Sequence, residues 1–283
     1  MNKIEIQEPF DNVQVLKDGI YEYCEIKNVA NIDSQYNKYI IELDNSNDSI
    51  YYYFIIDMVH QDAFGHWVFE SGIYLPLFYK LKQKYPLLKL YLNTFKMYKK
   101  LFCNYFHIND DDIVYTLNKN NTCILPMPIS SLNINTLDEN WKLQVDYFFN
   151  IMSRVNKKTT TTVFLPRQHK ENYSGNNRNY NTADIANHID LIVHTDEITD
   201  LNDQINKVNS SSNVILTGGS PYFVNGLFCN NSNIIVLDDF IIQQMNAYIK
   251  LKYIHDKICE LNIVHFIKHS DIFYYDQIKP YLK

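Results

Sequence analysis

His66 and Glu70, in the stretch FGHWVFESGIYLPLF, lie four residues apart, a spacing that puts both on one face of a helix. An imidazole or carboxylate at a helix start can act as general base and deprotonate a hydroxyl nucleophile. The same two residues could equally serve the helix itself, Glu70 complementing its dipole and His66 capping it. Arginine is scarce: Arg154, Arg167 and Arg178 are the only three in the chain. Arg167 follows the apolar run 162–165 and Pro166, and Arg178 comes just before Asn181 and Thr182. A planar guanidinium suits bidentate contact with phosphate oxygens, with a surface salt bridge as the alternative use. A third group is Thr217-Gly218-Gly219-Ser220, placed between the apolar Val214-Ile215-Leu216 and Pro221. Glycines at a strand-to-helix turn let backbone come close to a ligand and aim unpaired N–H groups at it. An ordinary strand–helix connection would read the same way. Two acidic clusters, Asp110-Asp111-Asp112 and Asp238-Asp239, invite comparison with a carboxylate pair that holds a divalent cation; the first reads as a solvated turn, and Asp238 follows a buried strand. No GxSxG, HExxH, P-loop or kinase set is present.

The elements that must carry these residues are legible from periodicity. Up to about 58 the chain reads as β-rich: 19–26 alternates apolar and polar, and 39–43 and 51–56 flank a turn at 44–48. From 66 to 84 the period is helical, with Pro76 as a kink or break and lysines toward the end. A strand at 88–92, a helix at 94–106 and a strand at 113–117 follow, then a loop-terminated strand at 124–129. This βαβ alternation predicts a parallel sheet. Residues 131–141 are polar and turn-rich, a domain boundary near the chain midpoint. Beyond it the pattern gives a helix at 143–155, strand 162–165, a polar loop 168–180, helix 182–188, strand 190–194 and helix 198–208. Strand 213–216, helix 221–229, strand 234–237, one long helix 240–261 and a tail complete the chain. The expectation is α/β: two Rossmann-like domains facing a cleft, with a β-rich N-terminal extension. Such sheets place ligands beyond the carboxyl ends of their strands.

Composition narrows the partners. With a net charge of −6 and acids and bases interspersed, no basic stripe offers itself to a phosphate backbone, which argues against nucleic acid. Five cysteines without CxxC pairs suit a reducing compartment and argue against a disulfide framework or structural zinc. There is no signal-like N-terminal stretch and no apolar run long enough to span a bilayer, so a soluble, cytoplasmic protein is expected. The 23 tyrosines suit acceptor surface, a homo-oligomer interface or composition bias alike. Heavy use of Asn, Ile, Lys and Tyr reads as AT-rich coding, suited to a large DNA virus or a similarly biased microbe.

Three blocks in order resemble glycosyltransferase family 61, which includes many capsular-polysaccharide proteins. They are FGHWVFESGIYLPLF, VFLPRQ followed by NRNYNTADI, and DQINKVNSSSNVILTGGSPYFVNGLF. Together they span most of 64–238. Gly218 stands where the family usually has His, Ser220 where it has Ala, and Thr182 where an acid follows Asn. Asn225, Leu227 and Phe228 match if one extra residue is allowed after Ser220.

The resemblance implies a GT-B-like enzyme that moves a sugar from a nucleotide-sugar, UDP-linked by preference, to a glycan or protein hydroxyl. Transfer would proceed with inversion and need no metal or other cofactor. It implies an acceptor-side domain at 1–141, a donor domain at 142–262 and a tail at 263–283 returning to the first domain. Arg167, Arg178, Gly218, Gly219 and Ser220 would hold the donor diphosphate. Asn225 would support the turn, Asp238 would line the same site, and His66 or Glu70 would serve as base. Two alternatives stay open: a catalytically degenerate binding or scaffold protein, motivated by Gly218, and a metal-dependent sugar transferase using Asp238.

Overall fold

The structure, a computed structural model, describes residues 3–5, 14–16, 25–28, 43–44, 52–56, 64–84, 86–92, 94–115, 117–118, 122–125, 137, 139–153, 158–166, 181–194 and 198–282. The chain forms two compact units, Met1–Phe148 and Phe149–Lys283. It is an α/β protein with a mainly parallel sheet in each unit.

In chain order the first unit runs β1 (Lys3–Glu5), β2 (Gln14–Leu16), β3 (Glu25–Asn28), β4 (Leu43–Asp44), β5 (Tyr52–Ile55), α1 (Phe64–Glu70), α2 (Leu75–Lys84) and β6 (Leu88–Tyr91). Then come α3 (Met97–Tyr105), β7 (Ile113–Val114), β8 (Leu117–Asn118), β9 (Thr122–Leu125) and α4 (Glu139–Met152). The main sheet has the order β3-β9-β5-β6-β7, with β3 antiparallel and the other four parallel. β1 with β2, and β4 with β8, form separate two-stranded pairs. Phe54 and Ile55 of β5 and Leu88, Leu90 and Tyr91 of β6 are buried, as parallel strands covered on both faces require.

The helical stretch from 66 to 84 breaks at Ser71, not at Pro76. Ser71 Oγ donates to the Ile56 carbonyl at 2.6 Å, tying the end of α1 to the carboxyl end of β5. A short 3-10 turn, Gly72–Tyr74, then leads into α2. Pro76 is the second residue of α2, where a missing N–H costs no intrahelical hydrogen bond. Trp67 and Phe102 meet edge to face at 5.9 Å, Phe102 stacks on Phe148 of α4, and Trp141 Nε1 donates to the Phe69 carbonyl at 2.8 Å. The boundary between units therefore falls within α4, later than the polar stretch at 131–141 suggests.

The second unit runs β10 (Thr159–Leu165), α5 (Ala183–Ala186), β11 (Leu191–Ile192), α6 (Leu201–Ser210), β12 (Ser211–Thr217), α7 (Ser220–Gly226) and β13 (Asn233–Leu237). It closes with α8 (Phe240–Ala247), α9 (Ile249–Leu261), β14 (Ile263–Ile267) and α10 (Tyr275–Ile278). Its five strands are all parallel in the order β11-β10-β12-β13-β14. Numbered within the unit, that is the strand order 2-1-3-4-5, which reverses between β10 and β12.

Two expectations are corrected here. The single helix 240–261 is two helices, because Tyr248 adopts an extended conformation between them. The segment 263–283 is no tail: β14 pairs along its length with β13, and Phe273 and Ile278 are buried with Phe164, Ile215, Ile235 and Leu237 in one core cluster. Near the amino ends of the strands, side chains form a ladder. Asn213 Nδ2 donates to Thr162 Oγ1 at 3.1 Å, Asn233 Nδ2 to Asn213 Oδ1 at 3.3 Å, and His265 Nε2 lies 3.0 Å from Asn233 Oδ1. No helix among the described residues is long and apolar enough to cross a membrane.

Candidate functional site

In the first unit, α1 brings His66 and Glu70 together. His66 Nδ1 donates to Glu70 Oε1 at 2.8 Å, with the His66 side chain 42% exposed and that of Glu70 10% exposed. That hydrogen bond raises the His66 pKa above the ordinary imidazole value; partial burial works against the rise and the charge of Glu70 adds to it. With Nδ1 committed to the carboxylate, Nε2 is the nitrogen that takes up or gives a proton. Glu70 thus orients a base exposed enough to meet a ligand, the relation a general base requires. Its second oxygen, Oε2, is buried and has no hydrogen-bond partner among the described residues. Trp67, between them in sequence, meets a buried cation. Lys99, 1% exposed, holds its ammonium 5.9 Å from the Trp67 ring centre and donates to Thr94 Oγ1 at 3.0 Å.

In the second unit the candidate residues gather at the carboxyl ends of consecutive strands. β12 ends in Thr217 and passes into the turn Gly218-Gly219, and Gly218 N–H donates to the Leu237 carbonyl at 3.1 Å. Gly219 has φ 90° and ψ −144°, a conformation essentially closed to residues with a Cβ. Gly218 is small for a different reason. A Cβ there would lie 3.3 Å from Asp238 Cβ and 3.4 Å from Asp238 Oδ2, so the Asp238 side chain fills the space above the turn.

Asp238, just past β13, is 1% exposed and has φ 115°, strained for a residue other than glycine. Its Oδ1 accepts from Phe240 N–H at 2.9 Å and lies 3.2 Å from His269 Nδ1. His269, beyond the end of β14, is held by its backbone N–H to Asp239 Oδ1 at 2.9 Å and leaves its side chain 55% exposed. The second unit therefore also carries an imidazole–carboxylate pair, next to the glycine turn.

The remaining sequence-predicted residues fall as follows. Ser220 opens α7 and is half-buried. Asn225 is fully buried; its Oδ1 accepts from Gln204 Nε2 at 2.5 Å and its Nδ2 donates to the Pro221 carbonyl at 2.9 Å, so it braces α7 against α6. α7 has only seven residues and carries Pro221 in its first turn, so its dipole contributes little and the turn itself is the closer approach to a ligand. Arg154, Arg167 and Arg178 lie outside the described residues. Asp110, Asp111 and Asp112 form a surface turn engaged by lysines: Lys100 Nζ meets Asp110 Oδ2 and Lys82 Nζ meets Asp112 Oδ1, each at 2.7 Å.

Sequence reasoning missed His269, which sits in the stretch read as a tail. It also missed the pairing of Asp238 with an imidazole, for which only the topology of β13 and β14 gives a signal. Comparison with known protein families and with curated proteins gives no match.

Proposed function

We propose that the protein is an inverting glycosyltransferase that moves a sugar from a nucleotide-sugar to a hydroxyl of a glycan or protein acceptor, each unit being a Rossmann-like half in the manner of GT-B enzymes. The observation that carries this reading is the all-parallel second sheet of order 2-1-3-4-5, whose carboxyl edge holds the Gly218-Gly219 turn, Asp238 and His269 side by side. Sheets of this order bind their ligands at that edge, beside the point where strand order reverses. Arg167 follows β10, one of the two strands at that point, by two positions in the sequence.

In the proposed reaction the acceptor oxygen attacks the anomeric carbon from the face opposite the diphosphate. Its proton passes to a general base, and within the first unit His66, whose Nδ1–H rests on Glu70, has the arrangement that role requires. The bond between the anomeric carbon and the phosphate oxygen breaks, and its electron pair leaves with the diphosphate. Arg167 and Arg178 take up that charge. Asp238 favours the metal-independent version: its carboxylate is 1% exposed and packed over the glycine turn, so a Mn²⁺ ion would have to displace that packing to reach it.

Thermal stabilisation by nucleoside diphosphates and nucleotide-sugars, each with Mn²⁺ or EDTA, tests the reading. A ligand at a hundred times its dissociation constant stabilises by about 2.7 kcal/mol. The expected result is a metal-independent shift with one nucleotide, followed by release of that nucleotide from its sugar conjugate. Arg167→Ala should abolish transfer while leaving the ligand-free melting temperature nearly unchanged, and a fully active variant would sink the donor assignment. A shift seen only with Mn²⁺ would return Asp238 to the role of metal ligand. No shift with any nucleotide would favour a binding or scaffold protein that keeps the fold without the chemistry.

A further inference from the structure

β14 closes the second sheet as an edge strand. Ile263 N–H donates to the Ser232 carbonyl at 3.1 Å and Asp238 N–H to the Ile267 carbonyl at 3.2 Å, so Ile263, His265 and Ile267 turn their backbone groups toward β13. The alternate residues aim theirs the other way. Val264 and Phe266 therefore present N–H and C=O outward, and among the described residues no backbone hydrogen bond meets them there. Folded proteins blunt such edges by shortness, charge, proline or a bulge. The other edges of the two large sheets follow that rule: β7 and β11 have two residues each, and β3 carries Glu25 and Lys27. β14 has five residues, Ile-Val-His-Phe-Ile, with no proline, lysine or acid, and it pairs with β13 without a bulge. Ile263 is 50% exposed.

The order of residues in this strand says what fits it. About His265 the strand is symmetric in chemical class, Ile263 matching Ile267 and Val264 matching Phe266. A two-fold axis through His265 lays a second β14 alongside, antiparallel, with Ile263 opposite Ile267 of the copy and Val264 opposite its Phe266. The hydrogen-bond parity agrees. Val264 and Phe266 become the hydrogen-bonded pairs, each N–H meeting the other's carbonyl, and His265 falls at the non-hydrogen-bonded centre. A slip of one residue would set outward groups against inward ones and lose those bonds. Just beyond the strand, Asn262 falls opposite Lys268 of the copy, which keeps the two lysines apart. Rings support the strand on both faces. Phe266 rests against Tyr222 at 5.8 Å and His255 at 5.7 Å, and His265 lies 4.7 Å from Tyr281, itself 39% exposed.

We propose that the protein forms a two-fold dimer through β14, which joins two copies of the second sheet into one continuous sheet. The occupant is a second copy because the strand is complementary to itself: apolar faces apolar at every pair except the central histidines. A seam of five residues per chain is smaller than a standard interface, so the dimer should be concentration-dependent. It stands apart from the transferase reading.

Sedimentation velocity of the full-length chain over a range of concentrations should show monomer passing to dimer. Ile263→Lys changes an exposed side chain, and Val264→Pro removes an N–H that β13 does not use. Each should weaken the dimer at least about tenfold, since the loss occurs at both symmetry-related places, and leave the monomer's melting temperature close to the parent's. The register has its own test. Facing residues at the non-hydrogen-bonded centre have Cα atoms about 4.5 Å apart, within the roughly 4.4–6.8 Å that a disulfide spans. In a Cys259→Ser background, His265→Cys should give a covalent dimer on mild oxidation, whereas Ile263→Cys, whose copies lie at opposite ends of the seam, should not. A dimer untouched by both Ile263→Lys and Val264→Pro, or a His265→Cys chain that cross-links no faster than Ile263→Cys, would overturn the proposal. So would a chain monomeric at every concentration, which would leave the edge to a strand of another protein.

Discussion

At the scale of single residues, His66 and Glu70 make a pH-dependent pair whose sign can be worked out. Glu70 raises the His66 pKa, so the neutral base needed for proton abstraction is populated only above that raised value. The acid limb of kcat/KM should then lie above the ordinary imidazole pKa of about 6.5. Glu70→Gln should move that limb to lower pH, and His66→Ala should cost about 10²–10⁴-fold in kcat, the usual contribution of a general base. A limb left in place by Glu70→Gln would remove Glu70 from the role of partner. The stability contribution has the same origin: it is present below the unfolded imidazole pKa and is lost as pH rises through the raised folded value. With His66 nearly half exposed, solvent screening keeps it small. This pair was readable from the chain because spacing alone puts positions i and i+4 of a helix together. Asp238 and His269 are thirty-one residues apart and were not, since their contact exists only because β13 and β14 are neighbours in register.

At the scale of elements, α7 is the piece that links the glycine turn to the rest of the second unit. Its last residue, Gly226, faces Ile258 of α9: a Cβ there would lie 2.6 Å from Ile258 Cδ1. Gly226→Ala should therefore destabilise by about 1–3 kcal/mol, the usual cost of overfilling a packed core. Ile258→Val, which removes Cδ1, should recover part of that loss in the double variant, measured by urea unfolding. Additive effects of the two substitutions would mean that the helices do not meet there. Long periodic elements were the legible ones: strands 213–216 and 234–237 are found within β12 and β13, the first extended by three residues and the second by one. The break at Tyr248 was not legible, because no glycine or proline marks it and the apolar period runs on through it. β14 was hidden for the opposite reason. Its sequence, Ile-Val-His-Phe-Ile, is apolar but broken at its centre by His265, and as an edge strand it is exposed at Ile263 and only half-buried at its centre.

At the scale of the whole molecule, the alternation of strands and helices announced two α/β units, and the order 2-1-3-4-5 of the second could be known only from pairing. The boundary was harder to place, because α4 runs through it without a break in its helical period. The burial of Trp67 and Trp141 gives the molecule a further property, an optical one. They are the chain's only tryptophans, both fully buried and both in Met1–Phe148. Indole emission from the native protein should accordingly be blue-shifted, and its red shift on denaturation reports the first unit alone. The second unit has tyrosines and no indole, so its melting is dark in that channel and visible only in circular dichroism. Coincident midpoints in the two signals would mean that the units unfold as one cooperative body; separated midpoints would give each unit its own stability from a single unlabelled sample.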